Sequence, residues 1–383
     1  MAISRRVFGL SLAATGLTAC AGGGRSTQSS EPASSGLPPD LRPTPNAQYD
    51  AWVVAFRPRA RAAGISEATL TAAFKGTGYL PGVVTRDRNQ TEFKRSLEDY
   101  LAIAASEERV QKGRAALARH RSVLTAIQRR YGVDENGVTA IWGLESFYGE
   151  RRGNVPVISA TSTLAFDGSR GAFFEKQLIA ALKVLQNGDV SPDRMTGSWA
   201  GAMGHTQFIP TSYETFAVDF TGAGRRDIWS EDPSDALASA AAYLQRSGWV
   251  PGQPWGGLTG SRGAGSRVIQ PQPGGPRFGV TRNFAVIKRY NNSDAYAIGV
   301  GHLADRIGGA GPLNARFPAD EFGMTKDDRI ALQQQLTAKG FDTEGADGVI
   351  GSKTRGAIEA YQRANGLAAT GDPSRDLLQR LSG

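Results

Sequence analysis

Cysteine is nearly absent from this chain. One thiol in 383 residues excludes an intramolecular disulfide framework and any zinc site built on several cysteines. Histidine is scarce too, and His120, His205 and His302 are too scattered to suggest a histidine-based metal centre. No apolar run is long enough for a permanent membrane-spanning helix. Lysine is rare beside arginine, nine against 35, a skew that genome base composition can produce and that carries no functional conclusion. A Walker A sequence and a serine nucleophile elbow are both missing. Gly299-Val300-Gly301 falls inside an apparent helix with no strand before it, which argues against a dinucleotide fingerprint.

What remains is a glycine-rich, basic chain with a 40% hydrophobic fraction, enough for a sizeable core. Its length suggests about two or three domains. The single thiol, Cys20, closes a segment that reads as an export signal over residues 1–19. Arg5 and Arg6 form a charged start, and Val7 to Leu17 is a short apolar run. Leu17-Thr18-Ala19-Cys20 has the lipobox pattern, so Cys20 is expected to carry a diacylglyceryl group. Ser4-Arg5-Arg6-Val7-Phe8 also resembles the twin-arginine consensus. Ala21 after Cys20 favours sorting to the outer membrane, with the protein facing the periplasm. Residues 20–45 continue as a Gly/Ser/Thr/Pro tether with almost nothing to bury.

From Ala47 onward apolar residues recur at helical spacing, as in Trp52, Phe56, Ala60 and in Leu97, Tyr100, Leu101, Ala104. Asp134 is placed to cap a helix through Val138–Tyr148. Further helices are expected over Phe173–Leu185, Asp235–Gln245 and Ala295–Ile307. Residues 251–282 are rich in Gly, Pro and Arg and show little periodicity, and a short strand is expected at Phe284–Ile287. Gly308 to Pro312 then breaks the chain, dividing 46–318 from a small three-helix domain at 319–383. The expected tail helices are Asp327–Lys339, Thr354–Ala364 and Ser374–Leu381.

The tail resembles the peptidoglycan-binding type 1 domain. The matching residues are Leu332-Gln333, Leu336, Gly340-Phe341, then Asp347-Gly348, Gly351, Thr354, Ala357, then Tyr361-Gln362, Asn365-Gly366-Leu367 and Gly371.

The stretch richest in chemistry is Ile141-Trp142-Gly143-Leu144-Glu145-Ser146-Phe147-Tyr148-Gly149. Glu145 has Ile141, Trp142 and Tyr148 at helical-neighbour spacing. Apolar surroundings disfavour a charged carboxyl, so its pKa is expected to rise and suit it to general-acid work on a glycosidic oxygen. From this helix alone, a solvent-facing glutamate on an amphipathic helix is the simpler reading. Gly201-Ala202-Met203-Gly204-His205-Thr206-Gln207-Phe208-Ile209-Pro210 changes that balance. Its small residues permit close approach of backbone to ligand, and Gln207 can both donate and accept hydrogen bonds to a sugar.

With Tyr290-Asn291-Asn292 and Tyr296, these stretches resemble the lytic murein transglycosylase B family over roughly 46–318. The resemblance implies a mainly α fold: an α+β lysozyme-like catalytic core with a helical N-terminal part and a small β element. It implies cleavage of the β-1,4 bond between N-acetylmuramic acid and N-acetylglucosamine in peptidoglycan glycan strands, leaving a 1,6-anhydro end. Glu145 would be acid and then base, because the sugar's own C6 hydroxyl replaces the second carboxylate that most glycosidases need. Ser198 and Gln207 match positions beside that glutamate. Tyr100, Tyr243, Tyr290, Asn291, Tyr296 and Arg170 match substrate-binding positions. For each of these tyrosines core packing is the other reading, and for Arg170 a surface charge.

Asp219-Phe220-Thr221-Gly222-Ala223-Gly224 resembles the family's calcium loop, but Ala223 stands at a ligand position and has no side-chain oxygen. A structural turn built on Asp219 and Thr221, without metal, is the expectation, with calcium binding left open as the alternative; no other cofactor is expected. Two rival functions share the same residues: a muramidase using Glu145 with water, and a non-catalytic wall-binding lipoprotein. No nucleic-acid recognition motif accompanies the basic pI. The basic excess lies in residues 46–318, where it suits a polymer bearing stem-peptide carboxylates. Protein partners, endolytic or exolytic action and stem-peptide preference are left open.

Overall fold

The structure, a computed structural model, describes residues 36–89 and 96–382. The lipobox and Cys20 lie outside the described residues. The chain is mainly helical, with two small antiparallel sheets, and it forms two compact units. One takes the chain up to Glu92 together with Ala115–Pro251; the other takes Phe93–Arg114 with Gly252–Gly383.

The first unit opens with helices Ala47–Ala62, Glu67–Phe74 and Pro81–Arg88. The Asn46 side chain accepts from Tyr49 N at 3.0 Å and the Ser66 hydroxyl from Thr69 N at 3.1 Å. Each such cap stabilises its helix by about 1 kcal/mol. Helix Val157–Asp167 runs through the core and is buried over all of Val157–Leu164. Its hydroxyls must therefore be satisfied locally. Thr161 donates to Val157 O and Ser162 to Ile158 O, both at 2.6 Å. Leu37, Leu41, Leu80, Val83, Val155 and Phe174 pack with it, and Trp199 and Phe173 lean on the same cluster.

Helix Ser234–Arg246 lies against Arg121–Tyr131 and Glu135–Ser146. Its buried residues include Ala236, Ala238, Ala240, Ala241 and Ala242. Short side chains there let the helix backbones approach closely.

In the second unit, helix Leu97–Ala104 packs on Asp294–Ile307. Strands Gly256–Leu258, Arg267–Ile269 and Phe278–Val280 form a sheet whose last strand is central and antiparallel to both others. Three-residue strands are too short to show alternation, so this sheet leaves no periodic trace in 251–282.

The strand expected at Phe284–Ile287 is instead part of helix Arg282–Tyr290. The Thr281 hydroxyl caps it, accepting from Asn283 N at 3.1 Å. Asn283, Phe284, Val286 and Ile287 are buried at helical spacing. So short an apolar run fits either period, and the cap decides it.

The tail helices are Lys326–Ala338, Ser352–Ala364 and Arg375–Ser382, each within two residues of its expected bounds. They enclose a core of Met324, Leu332, Leu336, Ala357, Ile358, Tyr361, Leu377 and Leu381. Thr325 and Asp328 form a reciprocal capping box. Gln333 pins the Gly-rich loop, accepting from Gly348 N at 2.7 Å and donating to Val349 O at 3.2 Å.

Candidate active site

Helix Glu135–Ser146 carries Glu145 one residue from its end. As expected, Asp134 caps its start, accepting from Gly137 N at 2.6 Å. Burial pushes the Asp134 carboxyl up, against the pull of that N–H. The helix stops two residues earlier than its apolar pattern suggests. Phe147, Tyr148 and Gly149 all take positive φ, 53°, 60° and 91°. Two non-glycine residues in the left-handed region store strain, a common mark of functional sites. Tyr148 is thus no longer a helical neighbour of Glu145. Its ring folds back over Gly143 so closely that a Cβ there would come within 2.6 Å of it. Ile141 and Trp142 are buried beneath the half-buried Glu145.

A short hydrogen-bonded assembly fixes this helix end. Ser146 Oγ donates to His205 O at 2.5 Å and accepts from Gly149 N at 3.0 Å. Trp142 Nε1 donates to His205 Nδ1 at 3.2 Å, and His205 Nε2 lies 2.7 Å from Ser230 O. One ring nitrogen therefore accepts and the other donates, the pattern of a neutral imidazole. Burial lowers the His205 pKa, as does the nearby Arg152, against the raising effect of the Ser230 carbonyl. Arg152 spans the same corner, donating to Trp229 O at 2.9 Å and pairing with Glu231.

Gln207 and Ser198 belong to this assembly. Gln207 has φ +50°, and its side-chain NH2 donates to Arg152 O and Gly204 O, both at 2.9 Å. Those two bonds orient the amide and direct its carbonyl oxygen the other way. Ser198 Oγ accepts from Ala202 N at 3.0 Å and Ala200 N at 3.3 Å, closing the 198–202 turn. Bridges between Gly197 and Met203 and between Met203 and Phe208 hold that turn beside Gln207.

Arg170 sits at the start of helix Gly171–Gln186, 3.8 Å from Asp87 and over the rings of Phe173 and Phe174. Tyr243 is 5% exposed, its ring 4.4 Å from that of Phe216 and 6.0 Å from that of Phe208. The remaining four expected residues lie in the second unit. Tyr100 packs its ring on Gly299, one turn along the helix from the buried Tyr296. Tyr290 ends helix Arg282–Tyr290, and Asn291 follows as its cap residue. The Asn291 side-chain oxygen is buried without a hydrogen-bond partner among the described residues.

His205, Ser146 and Arg152 were not singled out from sequence as parts of the site. The only available signal was the placement of His205 between Gly204 and Gln207.

The 219–224 loop closes on its own backbone. Asp219 Oδ1 accepts from Gly222 N at 2.7 Å and Ala223 N at 3.0 Å, and Oδ2 from Gly224 N at 2.8 Å. Burial works against the Asp219 anion, but those N–H groups outweigh it and lower the pKa. Asp235 likewise accepts from the N–H groups of Phe220, Thr221 and Asp227. Both carboxylates are turned onto backbone, and no acidic or histidine cluster suited to a metal occurs among the described residues.

No helix among the described residues is long and apolar enough to cross a membrane. The chain matches the Transglycosylase SLT domain over 48–261 and 259–305, and the peptidoglycan binding domain over 325–381. It is 31% identical over 231 residues to the membrane-bound lytic murein transglycosylase B of Escherichia coli strain K12. That match covers 52% of this chain and 63% of the Escherichia coli enzyme, just under two thirds of its length. Crystal structures of SltB3 from Pseudomonas aeruginosa are 43% identical to it and cover 88% of this chain and all of that one. The complex with NAG-NAM-pentapeptide gives a TM-score of 0.69, and that with NAG-anhNAM-pentapeptide 0.68. A capped helix with a half-buried glutamate in its last turn, a glycine-turn loop hydrogen-bonded to the serine that follows it, and these matches lead to one assignment: the chain belongs to the lytic murein transglycosylase family.

Proposed function

We propose that this protein cleaves the β-1,4 bond between N-acetylmuramic acid and N-acetylglucosamine in peptidoglycan, without water. The observation that carries the reading is Glu145, half-buried at the end of its helix, with Ser146 and Gln207 tied to one loop beside it. Glu145 stands in the last turn of a helix whose Ile141 and Trp142 are buried, so a proton donor is held there on a packed element.

Glu145 donates its proton to the glycosidic oxygen as the C1–O bond breaks. The departing N-acetylglucosamine keeps that proton as a hydroxyl. The muramic C6 hydroxyl then bonds to C1, and its proton returns to Glu145. One bond breaks, one forms, and the acid is regenerated. Gln207 presents its carbonyl oxygen to a sugar N–H or O–H, and Ser198 its hydroxyl proton. Tyr100, Tyr243, Tyr290, Asn291, Tyr296 and Arg170 serve substrate binding in this reading. No calcium and no other cofactor enters it.

Two similarities support the chemistry. SltB3 has been crystallised with an anhydro-muramic ligand, and the tail matches a peptidoglycan binding domain. We place the protein at the outer membrane, facing the periplasm and anchored through lipidated Cys20, in keeping with the membrane-bound Escherichia coli relative.

Mass spectrometry of digested sacculi tests the reaction. Wild-type protein is expected to release fragments one water lighter at the muramic end, and Glu145→Gln none. Only reducing muramic ends would make this a muramidase; cleavage surviving Glu145→Gln would remove that residue from the mechanism.

A further inference from the structure

The tail buries one cation completely. Arg329, on helix Lys326–Ala338, is 1% exposed, and each of its five N–H donors has an acceptor. Nε donates to Gly348 O at 2.6 Å. Nη1 donates to Asp320 Oδ2 at 3.1 Å and Met324 O at 3.2 Å. Nη2 donates to Asp99 Oδ1 at 2.8 Å and Glu98 Oε2 at 3.1 Å.

The first three acceptors belong to the tail. The last two sit on helix Leu97–Ala104, beside Tyr100. That helix packs on the helix carrying Tyr296, with the Tyr100 ring on Gly299. One guanidinium thus joins the tail to the element that carries an expected substrate residue.

An apolar side chain would fill such a junction more cheaply, since burying a charge carries a large desolvation penalty. A planar fork of five donors does what packing cannot: it fixes direction as well as contact. Glu98, Asp99 and Asp320 also converge on this cation, so its removal leaves three carboxylates facing one another. The tail's apolar core is built from other residues, while Arg329 bonds Gly348 O and Met324 O within the tail as well as the two acids on helix Leu97–Ala104, so pelleting must be measured beside turnover to tell tail from junction.

We propose that Arg329 is a positioning residue for the reaction, clamping the wall-binding tail to the Tyr100 helix so that a grip on peptidoglycan also sets where Tyr100 stands. This rests on the reading of Tyr100 as a residue that touches substrate.

The test compares full-length wild type, Arg329→Met, Arg329→Lys, and Arg329→Met combined with Glu98→Gln, Asp99→Asn and Asp320→Asn. Sacculus pelleting, turnover on sacculi and on a soluble muropeptide tetrasaccharide, and hydrogen exchange along 97–104 are measured. Arg329→Met is expected to pellet as wild type and to exchange faster at 97–104, with Glu135–Ser146 unchanged. Its turnover is expected to fall about tenfold on both substrates, as a small misplacement of a binding group does. The lysine variant should lie between, and the neutralised combination should recover part of the loss.

Wild-type turnover with unchanged exchange would overturn the proposal. So would a loss confined to sacculi that merely follows lost pelleting, which would make Arg329 a tail residue only. Should Arg329→Met fail to fold, Glu98→Gln with Asp99→Asn keeps the cation and carries the same readouts. The ratios do not depend on which muramic end forms, so reducing ends would refute the proposed reaction and leave this result standing.

Discussion

Replacing His205 with alanine tests whether one imidazole holds the Glu145 helix to the Gln207 loop. The ring is 4% exposed and lies between the indole N–H of Trp142 and the Ser230 carbonyl. Its loss strands the indole donor, which costs about 1–3 kcal/mol when no acceptor replaces it. It also opens a ring-sized void against Gly149, where a Cβ would now sit 2.6 Å from the imidazole. Aromatic-to-alanine changes in cores cost about 3–5 kcal/mol, and with partial collapse the total should be about 4 kcal/mol. At roughly 2–4 °C per kcal/mol for a unit of this size, melting should fall by about 10 °C.

Glu145 lies one residue from Ser146, whose hydroxyl bonds the His205 carbonyl, so the carboxyl proposed as the acid should lose its position too. Turnover on sacculi is expected to drop at least ~10-fold, since misplacement by 1 Å can cost about 100-fold. His205→Gln, with a donor and an acceptor of its own, should recover part of both effects. Indole fluorescence during melting and the release of anhydro-muramic ends are the assays. A His205→Ala protein that melts within 1 °C of wild type (~1 °C being the resolution set by the scale above) and turns over normally would refute the reasoning.

Other outcomes follow from single features. His302 is 6% exposed, and burial, then Arg306, push its pKa down to about 4. Its unfolded counterpart titrates near ~6.5, so stability is full above that pH, falls as pH drops from about 6.5 to 4, and then levels off. The loss should reach about 3 kcal/mol, and His302→Leu should flatten that limb of a denaturation series. Alanine for glycine usually stabilises a helix by about 1 kcal/mol, but Gly143→Ala should destabilise, because its Cβ meets the Tyr148 ring at 2.6 Å. A Gly143→Ala protein that melts higher than wild type would contradict that packing. Chelation with EDTA should leave melting and turnover unchanged, because Asp219 is occupied by the N–H groups of 222–224, whereas Asp219→Ala should lower melting.

Much of this was legible in the sequence because its signals are local. Asp134 announces the start of the Glu145 helix, and the apolar steps of the tail announce its three helices. The end of the Glu145 helix was not legible, because Phe147 and Tyr148 continue an apolar pattern while taking left-handed backbone. Residues 284–287 misled for a related reason: Phe284, Val286 and Ile287 are good strand formers, and the deciding cap at Thr281 is one hydroxyl. Ser198 and Gln207 could be singled out by motif, but the bonding of His205 could not. It depends on partners at positions 142 and 230, which only the folded chain brings together. Arg329 was hidden in the same way, by acceptors more than two hundred residues away in the chain.

That separation orders the folding of the molecule. Glu98 and Asp99 emerge early in synthesis, and their cation comes 231 and 230 residues later. Loop closure over such a span is slow, because its entropy is lost before the contact forms. Until Arg329 arrives, helix Leu97–Ala104 holds two adjacent acids with no buried counter-charge, and they favour solvent over packing. Helix Leu97–Ala104 can seat on Asp294–Ile307 before then, but its two acids gain a buried counter-charge only with Arg329. A product cut short before position 329 would keep the first unit's glutamate and helix Asp294–Ile307, yet lack the cation that neutralises the Tyr100 helix, and should be more open to proteases at 97–104.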